Sequence, residues 1–115
     1  MISILCSVYN SSEHLDRYLD YVNNQTLSSF EIIFIDANSY DDSLEKILDY
    51  NFRDGINKIV LGAKTRIGIY EAWNKAILES SHDYVMNYNT DDKLFRTSLS
   101  TLAQYISLYP EVDVF

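Results

Sequence analysis

Ile32-Ile33-Phe34-Ile35-Asp36 is an apolar run closed by an acid, and Tyr84-Val85-Met86-Asn87-Tyr88 leads through Asn89 and Thr90 to two more acids, Asp91 and Asp92. Short apolar runs bounded by polar residues read as buried strands. Helical patterns lie between them, so strands alternate with helices and the sheet is expected to be parallel. In open α/β sheets, ligands bind outside the carboxyl ends of the strands. Acids that close the strands therefore gather on a binding rim. Adjacent carboxylates repel each other, and a Mg²⁺-like ion shared with a phosphate-bearing ligand relieves that repulsion. A solvated Thr90-Asp91-Asp92 turn leading into the next helix accounts for the same residues without a ligand.

Outward from these runs the pattern continues in both directions. Ile2 to Val8 reads as the first strand. Asn10 followed by Glu13 matches a capping box, opening a helix with Leu15, Tyr18, Leu19 and Val22 on one face. Glu31 to Asp36 is the second strand. Ser39, with Asp42 three residues on, is placed to cap a helix bearing Leu44, Ile47 and Leu48. Lys58 to Leu61 forms a short third strand, and Ile69, Ala72, Trp73, Ala76 and Ile77 form a helical stripe. Tyr84 to Tyr88 is the fourth strand. Leu99, Leu102, Ala103 and Ile106 mark a last helix that Pro110 ends, and Val112 to Phe115 opens a fifth strand. The expected architecture is a three-layer α/β/α sandwich with a parallel sheet, in the order β-α-β-α-β-α-β-α-β.

The 115 residues fit one domain, with 47% hydrophobic residues and ten tyrosines supplying a core. Nine basic residues against seventeen acidic ones give a net charge of −8. Nucleic acid and anionic membrane surfaces need a basic footprint, so neither is expected as a partner. Cys6 is the only cysteine, which precludes an internal disulfide, and its place in an apolar strand reads as core packing. His14 and His82 form no zinc-type cluster with it. No apolar run approaches the roughly 18 residues of a membrane span, and no signal-type N-terminus is present. The expected location is cytoplasmic, with peripheral membrane association left open for a longer protein.

Four ordered blocks resemble family 2 glycosyltransferases of the GT-A fold. They are Ile2-Ser3-Ile4-Leu5-Cys6-Ser7-Val8-Tyr9-Asn10; Asn24-Gln25-Thr26 with Phe30 to Ser43; Gly68 to Ala76; and Asp83-Tyr84-Val85 with Asn89-Thr90-Asp91-Asp92. The resemblance covers nearly the whole chain and implies a site for a nucleotide-diphospho-sugar, UDP-sugar foremost. On that basis Asp36 accepts a hydrogen bond from the base, which suits an acceptor-only carboxylate. Ser7 and Tyr9 belong to the loop that holds base and ribose, with Tyr9 able to stack on the base. Family members often carry Pro where Ser7 stands, so this loop is expected to be less rigid. Arg66 matches a basic residue near the diphosphate, whose oxygens suit a guanidinium fork. Asp91 and Asp92 match a shortened DxD-like motif, Asp91 near ribose or metal and Asp92 on a Mg²⁺ or Mn²⁺ ion. Asn89 stands where a further acid is common. Asn10 and Asp41 are accounted for by the helix starts beside them, and Asn74 reads as structural, bonding toward the strand loops.

Sugar transfer by inverting members needs a base to deprotonate the acceptor hydroxyl. The family supplies it downstream of the DxD region, so residues 1–115 are expected to be the donor-binding, N-terminal part of a longer enzyme. The acceptor, whether glycan, lipid-linked or protein, is left open, and the open strand edge is a candidate for self-association. The alternative is a nucleotide-binding module without turnover. A phosphoacceptor receiver domain is also small, acidic and doubly wound, but it needs acids after the first strand, and Ser7 to Asn10 contains none.

Overall fold

The computed structural model describes residues 1–115. Four strands and four helices alternate: β1 (Ile2–Val8), α1 (Ser12–Asn23), β2 (Phe30–Asp36), α2 (Ser43–Asp49), β3 (Ile56–Gly62), α3 (Ile69–Glu79), β4 (Tyr84–Asn87) and α4 (Ser98–Leu108). The strands pair in the order β3-β2-β1-β4, every neighbour parallel.

Strand alternation divides the core in two. Ile4, Cys6, Val8, Phe30, Ile32 and Phe34 face a layer formed by α1, α2 and α4, where Leu15, Tyr18, Leu19, Val22, Ile47 and Leu99 are buried. Leu5, Ile33 and Ile35 face α3. There Ala72 and Ala76, one turn apart, let the helix backbone lie close to the sheet. Each fully buried Leu, Ile or Phe is worth about 1.5–3 kcal/mol over exposure. Central β2 is buried on both faces, whereas edge strand β4 alternates between half-buried and exposed residues. The expected three-layer α/β/α sandwich is the fold found.

Several local expectations fail. Val112–Phe115 is not a strand. A strand exists through its ladder, and this segment turns on a Val112 N–H bond to the Tyr109 carbonyl, then crosses side chains. The Tyr84 hydroxyl donates to the Val112 carbonyl at 3.3 Å and the Phe115 ring lies 6.2 Å from that of Tyr84. Neither the Asn10–Glu13 capping box nor the Ser39 cap forms. Ser11 and Asp42 occupy the N-cap positions of α1 and α2 without side-chain capping bonds. In their place the Asp41 carboxylate accepts from Ser43 N–H at 2.9 Å and Ser12 N–H at 3.3 Å, serving both helix starts. Burial raises the pKa of Asp41, but these bonds outweigh it and the net shift is downward. The ends of the α3 stripe, Ile69 and Ile77, are exposed, as is Leu48 of α2. Asn74 is exposed on α3 and makes no side-chain bond to the strand loops.

Charge is buried at the amino ends of the strands. Glu31 is 1% exposed. Its carboxylate accepts from Ser3 Oγ (2.7 Å), Ser81 N–H (3.0 Å), Ser81 Oγ (3.1 Å) and Asn57 Nδ2 (3.3 Å). Burial alone would raise its pKa; the hydrogen bonds from Ser3 and Ser81 reverse that, leaving it below the usual carboxylate value. This cluster fastens β1, β2, β3 and the α3–β4 turn at the end of the sheet opposite the acids of the other rim.

Candidate donor site

The chain runs outward from β1 through β2 to β3, then α3 carries it back across the other face to β4 on β1's far side. Loops leaving β1 and β4 thus separate in a crevice at the carboxyl ends of the strands, where open α/β sheets place their ligands. A cavity of about 770 Å³ occupies that crevice. Its walls are Ser7 near the end of β1, Tyr9, Asn10 and Ser11 in the loop after it, His14 of α1, Arg66 to Ile69 at the start of α3, and Asn89, Thr90 and Asp91 after β4.

Of the residues singled out by sequence, Ser7, Tyr9, Arg66 and Asp91 line this one cavity. Asp36 and Asp92 stand beside it and are not part of its walls. Asp36 pairs with Val8 in the β1–β2 register, and Ala37 N–H donates to the Val8 carbonyl at 2.8 Å, so Asp36 lies one residue from Tyr9 across the ladder. All three acids are on the same rim of the sheet.

Asp36 is 3% exposed; its Oδ2 accepts from Ser39 N–H at 3.1 Å, and its Oδ1 is buried without any partner. A buried acceptor left empty is costly. Such an oxygen suits a donor arriving with a ligand. Asn89 Oδ1, in the cavity wall, is likewise buried and unpartnered.

The first loop is tied to the second across the sequence. Asn10 adopts φ +46°, a left-handed conformation that asparagine tolerates better than most residues. Its N–H donates to Ser39 Oγ at 3.0 Å and its Oδ1 accepts from Tyr40 N–H at 2.9 Å. Asn10 is therefore a wall residue that latches two loops, and the helix-cap account of it is overturned. Tyr9 packs edge-on against Tyr40, and Arg66 lies over the Tyr9 ring with its guanidinium carbon 4.4 Å from the centroid.

The acidic loop is held from beneath. Thr90 Oγ1 donates to Ser11 Oγ at 3.1 Å, and Ser11 Oγ donates to the Tyr9 carbonyl at 3.1 Å. Asp91 and Asp92 are exposed and enter neither of the two ion pairs, His14–Glu13 and Lys46–Asp16. Two unpaired oxygen-donor side chains match the hard ligands that Mg²⁺ and Mn²⁺ take. No three His, Cys, Asp or Glu side chains converge on one point. The pair does not form a cation cage of its own. Cys6, 1% exposed, has its thiol pushed up to about 12 by burial, which removes it as a nucleophile.

Sequence reasoning missed His14 and the Gly68–Ile69 end of α3 as wall residues. His14 sits on the polar side of α1, where periodicity carries no signal. Asn10 had one: a polar residue closing an apolar strand at a loop.

The family model for glycosyl transferase family 2 matches residues 3–115. A cholesterol galactosyltransferase of Borreliella burgdorferi is 34% identical over 101 residues, covering 88% of this chain and 28% of that protein. The amylovoran biosynthesis glycosyltransferase AmsE of Erwinia amylovora is 25% identical over 114 residues, covering 97% of this chain and 42% of that one. The chain thus spans less than half the length of these relatives. Among solved structures, S. aureus TarS in complex with UDP superposes with a TM-score of 0.86 at 23% identity, over 95% of this chain and 32% of that one. The mannosyltransferase PcManGT of Pyrobaculum calidifontis, in complex with GDP-Man and Mn²⁺, gives 0.84 at 16% identity, over 92% of this chain and 32% of that one. No helix is long and apolar enough to cross a membrane. With the family model matched almost end to end on a fold shared with these transferases, the chain belongs to glycosyl transferase family 2.

Proposed function

We propose that residues 1–115 bind the nucleotide-diphospho-sugar donor of a metal-dependent sugar transfer, with UDP-sugar as the donor class. The observation that carries this reading is the empty, buried Asp36 Oδ1 beside Tyr9, an acceptor in search of the kind of N–H that uracil presents. Complexes of TarS with UDP and with UDP-GlcNAc lend support from the same fold.

Each wall has a task in this reading. Tyr9 stacks the base and Ser7 contacts base or ribose. Arg66 leaves the Tyr9 face to meet the diphosphate, offsetting the acidic rim. Asp91 takes the ribose or the ion, and Asp92 takes the ion. When bound, Mg²⁺ or Mn²⁺ supplies Lewis-acid stabilisation of the departing nucleoside diphosphate. The base that deprotonates the acceptor is assigned to none of these residues; the reading places it with the acceptor-binding part of a longer protein, in keeping with relatives more than twice this length.

Isothermal titration of UDP with and without Mn²⁺ tests the reading. Saturable binding that tightens with Mn²⁺ supports it, and an absence of binding in both titrations overturns it. A transfer assay on a longer chain separates an enzyme from a nucleotide-binding module without turnover.

A further inference from the structure

We propose that Tyr18, a buried residue of α1 outside the cavity, is a positioning residue that presets the acidic loop for cation-dependent donor binding. The inference rests on the donor-site reading above and adds to it a residue that touches neither ligand nor ion.

Tyr18 is fully buried, yet its hydroxyl reaches the loop that leaves β4, donating to the Tyr88 carbonyl at 2.8 Å. Its ring stacks on that of Tyr88 with centroids 4.2 Å apart and planes inclined by 21°. Tyr88 is 3% exposed and carries the connection onward, its hydroxyl donating to the Asp92 carbonyl at 3.3 Å. The Asp92 N–H closes the turn on the Asn89 carbonyl at 3.1 Å. Two hydroxyls thus fix the backbone on either side of Asn89-Thr90-Asp91, and the Thr90–Ser11 bond fixes its middle. Lost conformational freedom is a main cost of binding, and a preset loop avoids it.

Packing alone requires much less. A phenylalanine at position 18 would fill the same space, whereas a buried hydroxyl must find an acceptor. The acceptor it finds is the backbone at the root of the acidic turn. A tyrosine hydroxyl ordinarily ionises at about pH 10, so both remain donors at physiological pH.

The test uses Tyr18→Phe, which keeps the ring and deletes the hydroxyl. UDP is titrated with and without Mn²⁺, uridine is titrated alone, and amide hydrogen exchange is followed along the chain. The expected result is a roughly tenfold loss of the Mn²⁺-dependent gain in UDP affinity, unchanged uridine affinity, and faster exchange confined to Asn89–Asp92. A variant that keeps the wild-type Mn²⁺ gain, or that weakens uridine and UDP alike, overturns the proposal. A wild-type chain whose UDP affinity ignores Mn²⁺ overturns the cation reading, and this proposal with it. Should Tyr18→Phe fail to fold, Tyr88→Phe deletes only the outer bond and must show the same selective loss; unaltered Mn²⁺ dependence there also overturns it.

Discussion

The Arg66 guanidinium carbon lies 4.4 Å from the centroid of the Tyr9 ring, so the face best suited to a nucleobase is covered by the cation best suited to a diphosphate. In the donor-site reading, a nucleotide entering the cavity would exchange one stacking partner for another and free the guanidinium to meet its phosphates. Two substitutions separate these roles. Tyr9→Ala removes the stacking surface and should weaken uridine and UDP alike, by roughly tenfold, the range for one base on one aromatic ring. Arg66→Ala should weaken UDP while leaving uridine unchanged or tighter. Calorimetric titration with both ligands checks this; equal losses of uridine and UDP in the arginine variant would contradict it.

Asp36→Asn should separate recognition from stability. The amide oxygen can still accept from Ser39 N–H, which turns the amide nitrogen toward the place of the unpartnered Oδ1. A donor then faces the donor of the base. Uridine affinity is expected to fall roughly ten- to hundredfold, the cost of one charge-assisted hydrogen bond, while the melting temperature stays near that of the wild type, because an unpartnered neutral amide replaces an unpartnered charged oxygen in the same buried place. Thermal melts and titration measure the two effects independently.

Glu31 should make stability fall in acid. Its folded-state pKa lies below the ordinary glutamate value, so its stabilisation is fully present above about pH 4.3 and is lost as pH drops through the folded value. Glu31→Ala strands the donors of Ser3, Ser81 and Asn57 and should cost roughly 2–3 kcal/mol at neutral pH. Urea unfolding across a pH series should show the gap between wild type and variant closing below about pH 4. A gap that persists to pH 2 would assign the cluster's value to packing.

The parts of the fold legible in sequence were those written as local periodicity. The runs Ile2–Val8 and Ile32–Asp36 and the stripe Leu15-Tyr18-Leu19-Val22 each bury the residues expected of them. What stayed hidden depends on partners far along the chain. Asn10 and Ser39 each carry a local capping pattern, but the loops bring them together: Ser39 Oγ accepts from Asn10 N–H, and Asn10 Oδ1 accepts from Tyr40 N–H. Val112–Phe115 has the composition of a strand and lacks a ladder to join. Of the cavity walls, Ser7, Tyr9 and Arg66 were reached through the family resemblance, whereas Asp91, and Asp36 beside the cavity, were legible as acids closing apolar runs. His14 in the cavity wall, and Glu31 at the opposite end of the sheet, were not legible, because a histidine on a polar helix face and a glutamate in a strand reveal nothing of their neighbours.

The most direct test of the donor-site account is a crystal structure of this chain soaked with UDP and Mn²⁺. The account predicts ion density beside Asp92 bridging to the diphosphate, and uracil N3 within hydrogen-bonding distance of Asp36 Oδ1. Nucleotide bound elsewhere, or seated in the crevice with its base away from Asp36 and no ion near Asp91 or Asp92, would contradict it.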